Sequence, residues 1–189
     1  MNRIVIFASG SGSNAENIIQ FFQNSEQIEV THVLSNNPNA GVFDRCERLD
    51  IPASLFEKSS FKDDDTVLNF LLAEADYIVL AGFLWKIPAA IVEAFPNKIV
   101  NIHPALLPKF GGKGMYGMNV HKAVKTSGAK ETGITIHYVN EHYDEGAIIF
   151  QASTAVTESD TPESIAQKVH ELEYEHFPRV LESLILKNG

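Results

Sequence analysis

Cationic side chains are in short supply in this 189-residue chain, with 15 Lys and Arg against 24 Asp and Glu and a formal net charge of −9. That shortage argues against a broad surface for nucleic acid or anionic membrane, although a small cationic pocket could still take one phosphate. The expected ligand is therefore small. Cysteine is scarcer still: Cys46 stands alone, so no intrachain disulfide can form. No His or Cys lies beside it at metal-ligand spacing, so it is expected to be structural and no metal site is expected. No apolar run approaches the roughly 20 residues a membrane helix needs. Residues 1 to 8 begin Met-Asn-Arg and continue as a short β-branched run, without the apolar core and small-residue cleavage site of a signal peptide. A cytoplasmic location with no membrane partner is the expectation. Internal repeats, low-complexity linkers and shifts in composition are also missing. With 44% hydrophobic residues, the sequence implies one globular domain over residues 1–189 with a full core.

What is present begins as strand, glycine loop and helix. Arg3 to Ala8 reads as a buried strand, Ser9-Gly-Ser-Gly-Ser-Asn14 follows, and Ala15 to Asn24 carries Ile18, Ile19, Phe21 and Phe22 at helical spacing. Gly10 and Gly12 let the backbone turn tightly and approach a ligand. Ser11, Ser13 or Asn14 could cap the helix and leave its unpaired amides for an anion. The loop can be a phosphate site or a plain glycine turn, because position 15 is Ala and the full G-x-G-x-x-G fingerprint is not met. Ile28 to Leu34 is a second strand, Ala40 to Leu49 a helix that includes Cys46, and Ile51 to Phe56 a weaker third strand. Asp64 to Ala75 is a helix whose acidic start suits its dipole. Tyr77 to Ala81 is the most apolar strand and fits a central parallel position. Gly82, Phe83, Leu84, Trp85, Lys86 and Ile87 follow it; their side chains could line a flat apolar pocket or plug the sheet edge. Pro88 to Phe95 is a short helix leading back into the sheet.

The chain is organised around the next stretch, Lys98 to Lys109. Ile99, Val100 and Ile102 form a strand that Pro104 must end at His103. Asn101 and His103 are two apart and share a face near the strand's carboxyl end, where open α/β sheets bind ligands. An amide able to hold a developing oxyanion beside an imidazole able to carry a proton suits acyl transfer through a tetrahedral intermediate. The competing reading is a polar pair that only closes a strand. Lys109 to Met118 has four glycines in ten residues. It is expected to be a mobile lid or binding loop, and it lacks the strand context and the Lys-Ser/Thr ending of an ATP-binding loop. Val120 to Thr126 resumes as a helix, and Gly133 to Val139 and Ala147 to Gln151 are strands around a polar turn. In that region Asp144 is either a carboxylate serving an imidazole, with His137 close in sequence, or simply a turn former. His142 reads as a surface residue. Asp160-Thr-Pro-Glu163 starts a long helix, with Asp160 capping and Glu163 at capping-box spacing. Its apolar face runs from Ile165 to Leu184, and His170 and Glu173 sit on a flank that reads as solvated.

Taken together, the Gly10 to Asn14 loop, Ala81-Gly82-Phe83, Asn101-Ile-His-Pro-Ala-Leu-Leu-Pro108, and His137 with Asp144 seven residues on resemble the phosphoribosylglycinamide formyltransferases, folate-dependent enzymes of purine synthesis. The similarity extends over essentially the whole chain. The Asn-x-His-Pro segment and the His-x6-Asp spacing are specific to the formyltransferase superfamily, and the glycine loop narrows the match. The resemblance implies a single doubly wound, mostly parallel twisted sheet with helices on both faces. It implies direct passage of formyl from 10-formyltetrahydrofolate, as donor co-substrate, to the amine of glycinamide ribonucleotide, without a metal and without nucleic acid. By the same resemblance, Asn101 would hold the oxyanion and His103 would donate a proton and stabilise charge. Asp144 would raise the histidine pKa and relay the proton leaving the amine. Gly12, Ser13 and Asn14 would hold the substrate phosphate, and Glu173, with His170 beside it, would meet the glycinamide end. Leu84, Trp85, Lys86 and Ile87, together with Asn101, Asn140, Glu141 and Asp144, would enclose the folate.

Three features depart from the family pattern. Leu84-Trp-Lys-Ile87 replaces the usual Met-Arg-Ile-Leu, the Gly111 to Gly117 loop is longer than the usual Tyr-Pro-Gly turn, and His170 stands where Gln is common. Rival readings are another enzyme of the same fold, a formyltetrahydrofolate hydrolase or a methionyl-tRNA formyltransferase, or a non-catalytic sugar-phosphate binding module. The tRNA enzyme lacks the glycine loop and carries a basic C-terminal domain, while the hydrolase carries an N-terminal regulatory domain. This acidic sequence is expected to have room for neither. Oligomeric state is left open.

Overall fold

The structure, a computed structural model, describes residues 1–188. The elements are β1 (Asn2–Phe7), α1 (Ser13–Phe22), β2 (Ile28–Ser35), α2 (Val42–Arg48), β3 (Ala53–Leu55), α3 (Lys58–Lys62), α4 (Thr66–Glu74), β4 (Tyr77–Leu80), α5 (Ala89–Ala94), β5 (Ile99–His103), α6 (Met118–Ser127), β6 (Glu131–Tyr138), β7 (Ile148–Ala155) and α7 (Pro162–Asn188). The strands form one sheet in the order β3-β2-β1-β4-β5-β6-β7. β1 to β5 run parallel, whereas β6 and β7 pair antiparallel at one edge.

Alternation along the central strands divides the core in two. Ile4, Ile6 and Ala8 face one way with Val79, Val100 and Ile102, against residues of α1, α2, α6 and α7. Val5 and Phe7 face the other way with Ile78, Leu80 and Ile99, against α3, α4 and α5. Burial of both faces is why these strands are nearly continuous Val, Ile and Leu, and each fully buried side chain stabilises the fold by roughly 1.5–3 kcal/mol. The doubly wound sheet implied by the sequence is therefore the one observed. From β1 successive strands are added first on one side, as β2 and β3, and then on the other, as β4 and β5, so the carboxyl ends of the parallel strands β1 and β4 open a crevice where the winding reverses.

Several local expectations are corrected. α3 has no counterpart in the sequence pattern, because Phe61 is its sole buried residue and leaves no apolar period to read. The long helix begins one residue later than expected. Thr161 and Ser164 exchange backbone-to-hydroxyl hydrogen bonds at 3.0 and 3.2 Å, while Asp160 accepts from Thr157, Ser164 and Lys168. Thr161 is thus the cap and Pro162 the first helical residue, which suits its missing N–H. Pro178 lies inside this helix and cannot donate to the carbonyl of Tyr174. Asn17 of α1 fills that gap, donating to Tyr174 O at 3.0 Å. α1 is thereby tied to α7 beside Glu173.

Candidate active site

The β1–β4 crevice is braced by backbone and side chains together. Ser9 N donates to Gly82 O at 3.1 Å, and Ser9 Oγ donates to Asn36 while accepting from Leu84 N. A cavity of about 500 Å³ opens there, lined by residues 10–14, 81–84, 101–104 and 112–118, together with His121, Asp144 and Glu173. The size and mixed lining suit a small-molecule site.

On one wall, the glycine loop delivers the start of α1. Gly12 takes the helix N-cap position with φ +76°, and no side chain caps the helix, contrary to the expectation for Ser11, Ser13 or Asn14. A Cβ at Gly12 would come within 2.5 Å of Val42, so α2 fills the space behind the loop. Arg45 Nε donates to Ser11 O at 2.7 Å, and Arg45 and Arg48 pair with Glu16. Those two arginines are committed to bracing the loop. The first amides of α1 have no intrahelical acceptor and face the cavity at the positive end of the helix. Lys113 is the one lysine or arginine among the described residues lining the cavity.

On the opposite wall, β5 and β6 bring the polar groups together. Asn101 lies directly across from His137 in the antiparallel register, and His103 across from Thr135. His137 Nδ1 lies 2.8 Å from Tyr138 O, a contact in which only the nitrogen can donate. With Nδ1 carrying that proton, Nε2 can accept the hydrogen bond from Asn101 Nδ2 at 3.1 Å. One amide hydrogen of Asn101 remains for the cavity. The same reasoning applies to His103, whose Nε2 donates to Phe110 O at 2.7 Å. Its mobile proton therefore belongs to Nδ1, which stands 3.6 Å from Asp144 Oδ2. Asp144 also approaches His137 Nε2 at 3.7 Å and accepts from Gly112 N at 2.9 Å.

Burial pulls the His103 pKa below its ordinary value, with the nearby His137 adding to this, while Asp144, the Phe110 carbonyl and Glu173 push it upward. The net direction is down. Asp144 acts in the expected direction and raises this pKa, but desolvation of a ring only 3% exposed outweighs the carboxylate. Burial favours protonated Asp144, but contact with His137, the charge of His103 and the Gly112 amide together hold its pKa below the usual carboxylate range.

Glu173 is likewise buried rather than solvated, at 5% exposure. Its Oε2 accepts from Asn14 Nδ2 and His170 Nδ1, both at 2.9 Å. That contact raises the His170 pKa against the opposing effect of burial. The Phe83 to Ile87 segment divides between its two readings. Phe83 and Leu84 line the cavity, whereas Phe83 and Trp85 also stack into a cluster with Phe56 and Phe61 behind the sheet. Trp85, Lys86, Ile87, Asn140 and Glu141 do not line the cavity, and Ile87 is buried in the second core. Tyr143 and His121, which the motifs did not single out, do line it. Among the described residues, no group of three or more His, Cys, Asp and Glu is arranged to hold a metal ion, and no helix is long and apolar enough to cross a membrane. Cys46 is buried in α2, which pushes its thiol up to about 11.

Gly146 holds the Asp144 turn against β6. A Cβ there would overlap the Tyr138 carbonyl that accepts from His137. Gly146→Ala is expected to destabilise the protein by about 1–3 kcal/mol, the usual cost of overpacking. Thermal denaturation checks this, and an unchanged melting temperature would show that the turn accommodates a methyl group.

Comparison with known proteins gives a consistent picture. The family profile described as Formyl transferase matches residues 2–181. The chain is 39% identical to the chloroplastic phosphoribosylglycinamide formyltransferase of Arabidopsis thaliana, over 95% of this chain and 64% of that protein. It is 35% identical to phosphoribosylglycinamide formyltransferase of Bacillus subtilis, over 100% of this chain and 97% of that one. The chain thus spans about three fifths of the length of its plant relatives but nearly all of the bacterial one. Among solved structures, phosphoribosylglycinamide formyltransferase from Bacillus halodurans superposes with a TM-score of 0.87 at 34% identity, covering 100% of this chain and 97% of that one.

Proposed function

Because this chain belongs to the formyl transferase family, we propose that it transfers the formyl group of 10-formyltetrahydrofolate to the amine of glycinamide ribonucleotide. The observation that carries the reading is the meeting of Asn101, His103 and Asp144 in the same cavity as the uncapped start of α1. A helix N-terminus with free amides suits a phosphate, and Gly12, Ser13 and Asn14 would hold it there. The family's formyl donor suits the side of the cavity formed by Leu84, Asn101 and Asp144. Glu173 and His170 would meet the part of the nucleotide that extends from the phosphate.

In the reaction, the substrate amine forms a bond to the formyl carbon, and the carbonyl electron pair moves to oxygen. Asn101 Nδ2–H and protonated His103 Nδ1 both donate towards that oxyanion, whose charge they stabilise more than that of the starting carbonyl. Asp144, held as a carboxylate, accepts the proton that the attacking nitrogen must lose. The bond from carbon to the folate nitrogen then breaks, and the proton moves to that nitrogen. His137, anchored through Nδ1 to the Tyr138 carbonyl, keeps the Asn101 amide turned so that one N–H is free. Burial of these groups strengthens each interaction.

Incubation with 10-formyltetrahydrofolate, followed by absorbance with and without glycinamide ribonucleotide, tests the proposal. Folate deformylation that requires the nucleotide is expected. Deformylation that ignores the nucleotide would indicate a hydrolase, and nucleotide binding without folate turnover would indicate a binding module.

A further inference from the structure

His121 sits on α6 between Val120 and Val124, all three turned into the core. The ring is 4% exposed, yet it lines the cavity, and its Nδ1 has no hydrogen-bond partner among the described residues. Asn14 Oδ1, in the same cavity, is buried and also without a partner. Unpaired buried polar atoms are costly, and two of them on one cavity imply that a polar group arriving from the cavity completes them. Glu173 lines the same cavity: it accepts from Asn14, and its charge acts on His121.

The chemistry of that group follows from the surroundings. Burial lowers the His121 pKa, as do His170 and His103, and Glu173 opposes this only in part. A neutral imidazole offers one donor and one acceptor. A phosphate dianion would be repelled by the Glu173 carboxylate, which has Asn14 and His170 as its partners. The group is therefore an uncharged hydroxyl or amide.

We propose that His121 is a substrate-binding residue that hydrogen bonds an uncharged hydroxyl or amide of the nucleotide between α6 and α7, leaving the phosphate to the start of α1. This rests on the function proposed above. His121 thereby orients the substrate end to end: the anion is held at α1, the neutral portion against α7, and the amine is directed towards Asn101 and His103.

The test compares His121→Leu and His121→Asn with wild type in steady-state kinetics and thermal denaturation. Leu removes both ring nitrogens, and Asn keeps a polar atom close to the position of Nδ1. Loss of one neutral hydrogen bond to substrate is expected to raise the nucleotide KM by about tenfold in His121→Leu, with the folate KM within about twofold. His121→Asn should recover most of that loss. Because Leu also removes an unpaired buried polar atom, its melting temperature should be retained or raised, so that a raised KM reports lost substrate contact and not a damaged fold. A nucleotide lacking the ribose hydroxyls resolves the partner: a Leu penalty that disappears assigns a hydroxyl, and one that persists assigns the amide. A wild-type enzyme active on glycinamide ribonucleotide with an unchanged KM in His121→Leu overturns this inference, as does a lowered melting temperature with both KM values unaltered. A wild type without formyl transfer overturns the underlying reading instead.

Discussion

Asp144→Asn is expected to lower kcat by on the order of 10²- to 10⁴-fold, with both KM values changed by only a few fold. The carboxylate is 12% exposed and faces two imidazole nitrogens at 3.6 and 3.7 Å, so its charge is poorly screened. The amide keeps the shape and can still accept from Gly112, but it cannot take the amine proton. The His103 pKa already lies below its ordinary value because of burial, and Asp144 is the largest influence that opposes this. Removing the negative charge lowers it further, so less imidazolium is present at neutral pH. The basic limb of the kcat profile should therefore move to lower pH in the variant. In the wild type, Asp144 titrates below the usual carboxylate range and remains ionised through neutral pH. Since the two residues act on one proton path, the double change with His103→Asn should cost far less than the product of the single changes. Multiplicative losses, or near-normal turnover in Asp144→Asn, would show that the pair is structural.

Gly12→Val is expected to raise the nucleotide KM on the order of 3- to 30-fold while the folate KM stays near its original value, which is the upper range for a misplaced helix terminus. Two constraints act at this position. The backbone has φ +76°, which a β-branched residue adopts only under strain, and the new Cβ would meet Val42 at 2.5 Å. The loop must then move away from α2, taking the first amides of α1 with it. Some stability is lost as well, so denaturation curves belong with the kinetics. Gly10→Ala provides the control, because a Cβ there meets nothing within 4 Å and φ is unrestricted. It should keep the melting temperature and alter the nucleotide KM much less. An unaltered nucleotide KM in folded Gly12→Val would locate the phosphate elsewhere.

Much of the fold could be read from the residues because buried parallel strands leave continuous runs such as Tyr77 to Leu80, and Pro104 marks the end of β5 without ambiguity. Asn101 and His103 were legible for the same reason: a period of two at a strand end. The harder features are those set by tertiary contact. Glu173 looks like a solvated flank on a helix until Asn17 ties α1 to the carbonyl freed by Pro178 and brings Asn14 against it. The pKa direction of His103 depends on desolvation, which no sequence spacing reports. Trp85 carried two readings because an aromatic residue after a strand suits a pocket or a plug equally, and only the Phe56–Phe61 cluster decides its position. His121 had a usable signal, since it shares the face defined by Val120 and Val124. A polar residue on an apolar helical stripe that also borders a cavity is a candidate for ligand contact.

The most direct measurement of formyl transfer follows an isotopically labelled formyl carbon from 10-formyltetrahydrofolate in heavy-oxygen water, with glycinamide ribonucleotide present and products resolved by mass spectrometry. Direct attack through an oxyanion held by Asn101 and His103 retains the original formyl oxygen. The labelled carbon should therefore appear in the nucleotide product with no oxygen from water, and this signal should fall with kcat in Asp144→Asn. Labelled formate carrying solvent oxygen, with the nucleotide left unformylated, would contradict the account.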